Sequence, residues 1–306
     1  MTCIYKMSLS VRFAICSLFF WSASLMSAGV CAQGLEQKIR EVIGDYQAEV
    51  GVAVIVNGTD TVVVNSDVRY PLMSVVKFHQ ALAVAGWMQC RGTSLDSLIF
   101  ISPEQLKPNT YSPLRDRYPS GNVRLSIREL LRYTLQQSDN NACDILFEML
   151  GGTSAVDRYI RALGINDFSV SQTEDDMHRD VQASYLNWSS PLEAARLLEV
   201  FLTTDWPGCL HRSFIKQTMM ECNTGRDRLP APLQGTEAVI GHKTGSGDVN
   251  AEGLLIATND IGFVYLPDGR RYVVAVFVKD SAADDRSNAQ LIARISEAVY
   301  RYVAVD

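Results

Sequence analysis

The chain has 306 residues, of which 47% are hydrophobic and 20% are charged, close to the fractions in an average soluble globular protein. This length suits one large domain or two intertwined domains with substantial cores. The formal net charge of −6 and the lack of any run of Lys and Arg argue against a nucleic acid as a partner.

The first 32 residues have the pattern of an export signal. Two basic residues, Lys6 and Arg12, precede an uncharged stretch that is rich in Phe, Leu, Ser and Ala. This stretch ends in AGVCA, with small residues at Val30 and Ala32, as a signal peptidase requires. An uncleaved anchor is the alternative, because about 20 apolar residues can span a bilayer. We expect a periplasmic protein that begins near Gln33 and has no membrane contact after cleavage.

The cysteines and histidines show no metal-binding pattern. Four cysteines follow the signal segment, and none of them has Cys-x-x-Cys spacing: Cys90, Cys143, Cys209 and Cys222. The four histidines lack His-x-His and His-x-x-x-His spacing: His79, His178, His211 and His242. A zinc site is therefore not expected, and we predict no metal and no cofactor. Disulfides are permitted in an oxidising compartment, so the state of the four thiols stays open.

The elements predicted from the start of the chain are a helix, a hairpin and a long helical region. LEQKIREVIGDY has the apolar spacing of a helix, and the β-branched runs VGVAVIVNG and DTVVVN predict a hairpin. From Pro71 to about Cys222 the signals are almost entirely helical. They include two predicted capping boxes and two glycines that end helices: Ser126 with Glu129, Ser190 with Glu193, Gly151 and Gly164.

Strand patterns return in AVIGHKTGSG, IGFVYLP and RYVVAVFVKDS, and an amphipathic helix ends the chain. Strands at both ends predict one antiparallel sheet built from both termini, with an all-helical region inserted between its halves. We therefore predict an α+β fold with a cleft at the junction. The predicted division is a signal peptide at 1–32, an α/β domain from 33–69 together with 223–306, and an all-α domain at 70–222.

The first candidate site residues are Ser74 and Lys77, in YPLMSVVKFHQALAVAGWM. Their spacing places them on one face of a helix, where an amine that sheds its proton can activate the hydroxyl. The first turn also offers free backbone N–H groups, which suit an oxyanion. The alternative is a helix start beside a lysine that reaches solvent. Ser-x-x-Lys is expected about once by chance in such a chain, and a second copy does occur at Ser213 and Lys216.

Two further triplets favour the catalytic interpretation of Ser74 and Lys77 over a plain helix start. Ser138-Asp139-Asn140 lies in the break between two predicted helices, and Lys243-Thr244-Gly245 lies at the end of a predicted strand. Each triplet by itself has an ordinary explanation, namely a helix cap and a polar strand end. The occurrence of all three motifs, in this order and in these contexts, is difficult to attribute to chance.

With these motifs the chain resembles a class A serine β-lactamase, for which the three-motif set is a known signature that penicillin-binding proteins share. The resemblance covers the chain after the signal segment. In that family a loop carboxylate follows the second motif, and SQTEDDMHRDVQASYLNWSSP, residues 171–191, resembles the family's Ω-loop. Glu174 matches the carboxylate, although Glu174 to Asp176 also fits a solvated acidic run. His178 stands where the family usually has Asn, as in the PER-type extended-spectrum branch.

The resemblance also concerns how the Ω-loop is held. The family's Arg–Asp pair falls at Gln172 and Asn187 here, so we expect a pair of amides or another contact in its place. Tyr111 resembles the aromatic residue beside the family's substrate entrance, but a packed loop tyrosine is the alternative.

The roles that follow are those the resemblance implies. Ser74 attacks the lactam carbonyl, and the N–H groups of Ser74 and Ser246 form the oxyanion hole. Lys77 and Glu174, through a water, share the role of base in acylation, and the division between them stays open. Ser138 passes a proton to the lactam nitrogen.

The remaining predicted residues bind the substrate: Asn140, Tyr111, His178, Lys243, Thr244, Gly245 and Ser246. The expected partner is a small β-lactam, cephalosporins included, and the expected state is a monomer. The alternatives are a D-alanyl-D-alanine peptidase, which lacks the deacylating carboxylate, and a β-lactam sensor domain that is acylated without turnover.

Overall fold

The computed structural model describes residues 24–205 and 208–305. Most of the predicted signal segment, residues 1–23, lies outside the described residues. Within the described ranges, no helix combines the length and the apolar character that a membrane crossing needs.

The helices and strands follow the predicted order outside residues 70–222. The helices are α1 (Ser24–Ile43), α2 (Val76–Arg91), α3 (Pro113–Arg117), α4 (Ile127–Gln136), α5 (Asn140–Leu150), α6 (Thr153–Ala162), α7 (Glu174–Arg179), α8 (Pro191–Thr203), α9 (Cys209–Met220) and α10 (Asp285–Val305). The strands are β1 (Glu49–Val56), β2 (Asp60–Val64), β3 (Tyr70–Pro71), β4 (Leu98–Ile101), β5 (Val123–Ser126), β6 (Phe168–Ser169), β7 (Trp188–Ser189), β8 (Val239–Ser246), β9 (Leu255–Tyr265) and β10 (Arg271–Ser281).

The central sheet is antiparallel and has the order β2-β1-β10-β9-β8. The predicted hairpin β1–β2 forms, β9 and β10 also pair as a hairpin, and β1 pairs with β10 so that both ends of the chain meet in one sheet. Strand β8, which carries the third motif, lies at the edge and pairs only with β9. The fold predicted from the sequence is therefore confirmed, and the motif strand borders the helical region.

The sheet is buried on both faces because successive side chains of a strand point to opposite sides. In β1, Ala53 and Ile55 face the helical region, whereas Val52 and Val54 face the two terminal helices. Helices α1 and α10 bring Leu35 and other apolar residues against this second face, the others being Ile39, Leu291, Ile295 and Val299. This double burial explains why the strands are continuous apolar runs and do not alternate with polar residues.

The region from 70 to 222 is less uniform than predicted. It contains a three-stranded sheet, β3-β7-β6, and a two-stranded sheet, β4-β5, which the helical signals do not indicate. These strands have two to four residues, too few for a period-2 pattern to be recognised. The exact domain boundaries stay a prediction.

The predicted helix ends are largely correct. Ser126 and Glu129 form the reciprocal capping box, and Gly151 ends α5 with a left-handed backbone. The second box forms only in part: Ser190 accepts a hydrogen bond from the N–H of Glu193, but the Glu193 carboxylate accepts from the N–H of Asn166. That carboxylate stabilises the preceding connection instead of its own helix start.

Candidate active site

Ser74 lies in a short 3-10 turn, Met73–Val75, that leads directly into α2. The preceding residue, Met73, has a left-handed backbone with φ of 46°, which is unfavourable for a residue with a side chain. The turn is held from the sheet, because the Asn259 side chain donates to the carbonyl of Pro71 over 2.7 Å. The surrounding structure thereby fixes the position of the Ser74 hydroxyl.

Lys77 is fully buried at the start of α2, and its ammonium faces four oxygen atoms within 3.0 Å. It donates to Ser74 Oγ at 2.7 Å, to Asn140 Oδ1 at 2.6 Å and to the carbonyl of Ser138 at 3.0 Å. Glu174 Oε1 lies 2.9 Å from Lys77 Nζ as an ion pair. Three protons cannot serve four oxygens at once, and Glu174 Oε1 is the atom left without a hydrogen bond. The Glu174 carboxylate is thus held against the Lys77 ammonium, which also contacts Ser74 Oγ.

The Glu174 carboxylate reaches this position because Asp144 holds the start of α7. Asp144 accepts from the N–H groups of Glu174 at 2.8 Å and of Asp175 at 2.9 Å. Burial and then the charge of Glu174 raise the pKa of Asp144 to about 7. Asp144 was not predicted from the sequence, where the available signal was a lone carboxylate in the apolar stretch ACDILF, one turn after Asn140.

The second motif closes the site from the side of α5. Ser138 has a left-handed backbone, with φ of 59°, and its Oγ accepts from Lys243 Nζ at 3.0 Å. Asp139 is buried, caps α5 by accepting from the N–H of Ala142 and also accepts from Ser112 Oγ. Asp139 is therefore structural, while its two neighbours face the site.

The third motif lies on β8, with Lys243 fully buried. Burial and then the charge of Lys77 lower the pKa of Lys243 to about 8. Gly245 is required by close approach, because a Cβ at this position would lie 2.6 Å from the carbonyl oxygen of Leu72. The strand can therefore pass directly against the segment that carries Ser74, which brings Ser246 to the same edge.

Two residues behind β8 support this motif and were not identified from the sequence. Arg228 is buried, and it donates to the carbonyl of Gly245 at 3.0 Å and to Ser246 Oγ at 2.7 Å. Thr224 shares a hydrogen bond of 2.7 Å with Thr244 through their hydroxyl oxygens. Both lie in a connection without a repeating pattern, so periodicity carries no information about them.

The Ω-loop, residues 171–191, is held by Asn187, but not through the side-chain amide pair expected with Gln172. Asn187 Oδ1 accepts from the backbone N–H groups of Ser171 at 2.8 Å and Gln172 at 2.9 Å, and its Nδ2 donates to the carbonyl of Gln172. The Gln172 amide donates elsewhere, to Ser171 Oγ. A single buried amide thus satisfies three backbone groups, and no paired charge is needed. Part of the loop is also helical, since it contains α7.

The remaining predicted residues lie at the rim. Tyr111 is exposed, and its carbonyl accepts from the N–H of Asn140. His178 is exposed in the last turn of α7. The thiols of the four later cysteines are all free: Cys90, Cys143, Cys209 and Cys222. In the part of the chain that the structure describes, no group of His, Cys, Asp and Glu is arranged to hold a metal ion.

Comparison with known proteins agrees with this geometry. A model of the β-lactamase enzyme family matches residues 34–303. The chain belongs to this family. A β-lactamase of Bacteroides uniformis is 44% identical over 94% of this chain and 97% of its own length. The extended-spectrum β-lactamase PER-1 of Pseudomonas aeruginosa is 35% identical over 88% of this chain and 87% of its own length.

Solved structures extend the comparison to the fold of the β-lactamase. A class A β-lactamase from Bacteroides cellulosilyticus has a TM-score of 0.86 and 44% identity, and covers 90% of this chain and 99% of its own. The TLA-1 extended-spectrum β-lactamase has the same TM-score and 40% identity, over 89% of this chain and 99% of its own. The protein is therefore a class A serine β-lactamase that hydrolyses β-lactams.

Proposed function

We propose that Ser74 is the nucleophile and that Lys77 and Glu174 control its proton. The observation that carries this proposal is the position of Lys77 Nζ, 2.7 Å from Ser74 Oγ and 2.9 Å from Glu174 Oε1. Two groups can accept the hydroxyl proton of Ser74. Lys77 can accept it once its ammonium has lost a proton, and Glu174 can accept it through a bridging water. Attack on the lactam carbonyl forms an ester at Ser74, and the N–H groups of Ser74 and Ser246 stabilise the oxyanion.

Ser138 is proposed to pass a proton to the lactam nitrogen as the ring opens. Its hydroxyl lies 3.4 Å from Lys77 Nζ and 3.0 Å from Lys243 Nζ, so it connects two ammonium groups. Asn140 is proposed to hold the side-chain amide of the substrate. Lys243 and Thr244 bind its carboxylate, as a buried cation beside a hydroxyl favours a carboxylate.

Glu174 is proposed to activate the water that hydrolyses the Ser74 ester, and this step separates a β-lactamase from a peptidase or a sensor. Glu174→Gln keeps the shape but removes the base, which typically contributes about 10²–10⁴-fold to such a step. Intact-protein mass spectrometry minutes after addition of benzylpenicillin should show a persistent adduct in the variant and little in the wild type.

Asp175→Asn is the matched control for Glu174→Gln, since Asp175 forms an ion pair with Arg179 on the outer side of α7. Normal turnover is expected for this control. A wild type that also stays acylated would contradict the proposed role of Glu174 in deacylation. Normal turnover by Glu174→Gln would move the base to another loop carboxylate.

We further propose that the substrate range favours cephalosporins. The Asn187 amide joins the two ends of the Ω-loop, His178 is exposed, and Gly247 follows Ser246 directly after the third motif. Two of the similar proteins, PER-1 and TLA-1, bear extended-spectrum names. The test compares kcat/KM for a bulky oxyimino-cephalosporin and for benzylpenicillin. A preference of about 10³-fold for the penicillin, about 4 kcal/mol in transition-state stabilisation, would contradict the proposal.

The enzyme is proposed to act in the periplasm as a monomer, after cleavage near Gln33. The support is the charged start, the uncharged stretch and the small residues of the first 32 positions. N-terminal sequencing of periplasmic material should find a start near Gln33, and light scattering should give the mass of one chain. A start at Met1 in a membrane fraction would contradict the cleavage.

A further inference from the structure

Behind the third motif lies a cluster of Cys222, His242 and Asp260 that the proposed mechanism does not use. His242 Nδ1 is 2.9 Å from Asp260 Oδ1 and 3.0 Å from Asp260 Oδ2, and both residues are buried. Cys222 lies close enough to the imidazole for His242 to act on its thiol. A nucleophile beside a base that a third group orients is the arrangement that activates cysteines.

The charges of the cluster favour a thiolate at Cys222. Burial alone would lower the pKa of His242, but the Asp260 carboxylate and then Cys222 raise it to about 10. Burial also opposes a charged thiol, but the hydrogen bond and the charge of His242, followed by Lys243, lower the pKa of Cys222 to about 7. Cys143 is the contrast, since burial raises the pKa of its thiol well above the usual range.

Cys222 also lies near Thr244, which is proposed to bind the substrate carboxylate. Its Sγ is 3.4 Å from Thr224 Oγ1, which in turn is 2.7 Å from Thr244 Oγ1. The connection is closely packed there, because a Cβ on Gly225 would lie 2.4 Å from Thr244 Cγ2. A group added to the sulfur on this side meets Thr224, and we expect it to displace Thr224 from Thr244.

The thiol is still within reach of a small reagent. Cys222 is 9% exposed, and the next residue, Asn223, is exposed. Cys143, by comparison, is 0% exposed. A reagent of a few heavy atoms can therefore approach Cys222 along the short connection after α9.

We propose that Cys222 is a modification site for small disulfides and thiosulfonates, and that a group added there weakens binding of the β-lactam carboxylate at Lys243 and Thr244. The second half rests on the function proposed above for these two residues. With methyl methanethiosulfonate, the Cys222 thiolate attacks the divalent sulfur of the reagent. A bond forms between the two sulfurs, the S–SO₂ bond breaks, and methanesulfinate leaves with the electron pair. His242 keeps its proton throughout.

The first test measures the labelling rate of each cysteine by peptide mass spectrometry, on the wild-type protein with methyl methanethiosulfonate at neutral pH. Cys222 should react at least tenfold faster than Cys143. His242→Asn should slow the labelling of Cys222 at least tenfold while the exposed Cys209 is unchanged. An unlabelled Cys222 in the wild type, or labelling at the same rate in His242→Asn, would overturn the proposal.

The second test measures benzylpenicillin hydrolysis before and after labelling. KM should rise at least tenfold with a smaller change in kcat, and dithiothreitol should restore the original value. Cys222→Ser, which keeps a hydroxyl beside Thr224, should hydrolyse benzylpenicillin with the wild-type KM. Treatment with the reagent should not change this KM.

The two proposals fail in different ways. Rapid labelling of Cys222 together with an unchanged KM in Lys243→Ala would refute the proposed carboxylate site alone. Unchanged KM in an active enzyme whose Cys222 is fully labelled would overturn the inference alone.

Discussion

Two stretches of this chain carry a serine and a lysine three residues apart on a helix or at its start, and their surroundings differ completely. Lys77 is fully buried among the oxygens of Ser74, Ser138, Asn140 and Glu174. In α9, Ser213 is exposed, and Lys216 Nζ lies 4.0 Å from the centre of the Tyr265 ring. The same spacing thus gives a buried Lys77–Ser74 hydrogen bond in one place and a surface cation–π contact in the other.

The difference follows from what packs against each helix. The start of α2 meets the edge strand β8, the break before α5 and the start of α7, all of which present oxygen atoms or charges. Helix α9 packs its apolar side on the sheet and leaves Ser213 in solvent. A motif of two residues acquires chemistry only when distant segments supply its partners.

The largest difference is expected between substitution of Ser74 and substitution of Ser213. Ser74→Ala should abolish covalent labelling by a penicillin, because the attacking oxygen is gone. Ser213→Ala should leave labelling and turnover near the wild-type values. Mass spectrometry of both variants after exposure to benzylpenicillin measures this labelling directly. An adduct on Ser74→Ala would contradict the proposal that Ser74 is the nucleophile.

Substitution of Lys77 and substitution of Lys216 should have effects on kcat/KM that differ by orders of magnitude. This difference is smaller than the one expected for the two serines. Lys77→Ala should lower kcat/KM by about 10²–10⁴-fold, as expected for loss of a group that moves a proton. Lys216→Ala should keep kcat/KM and lose only the contact with Tyr265, about 0.5–1 kcal/mol in the free energy of unfolding. Steady-state kinetics and urea unfolding separate the two effects, and equal losses of activity would contradict the comparison.

Lys243 is fully buried, like Lys77, and predicts a smaller effect that depends on pH. With its pKa lowered to about 8, the ammonium loses its charge as the pH rises through 8. Since kcat/KM reports ionisations of the free enzyme, kcat/KM for a carboxylate-bearing β-lactam should fall above about pH 8. Lys243→Arg keeps the cation at all accessible pH values, so its profile should lose this fall. An unchanged profile in Lys243→Arg would assign the ionisation to another group.

The sequence alone was sufficient for the sheet strands, the terminal helices and the three motifs. The reason is that these features follow from local rules: apolar periodicity for β1 and α10, a capping box for Ser126, and short motifs for Ser74, Ser138 and Lys243. Glu174 was predicted from its place in a segment that resembles the family's Ω-loop. The short strands β3 to β7 escaped because two to four residues carry no period.

Only the tertiary structure decided which side chains meet. Asp144 holds the backbone of Glu174 from 30 residues away, and Arg228 reaches Gly245 from 17 residues away. Asn187 binds the main chain of Gln172 and not its side chain. Such contacts depend on how packed elements approach each other, and the packing, not the spacing along the chain, determines where a polar group finds its partner. The same reason separates Lys77 from Lys216, because burial among oxygens is a property of the assembled fold.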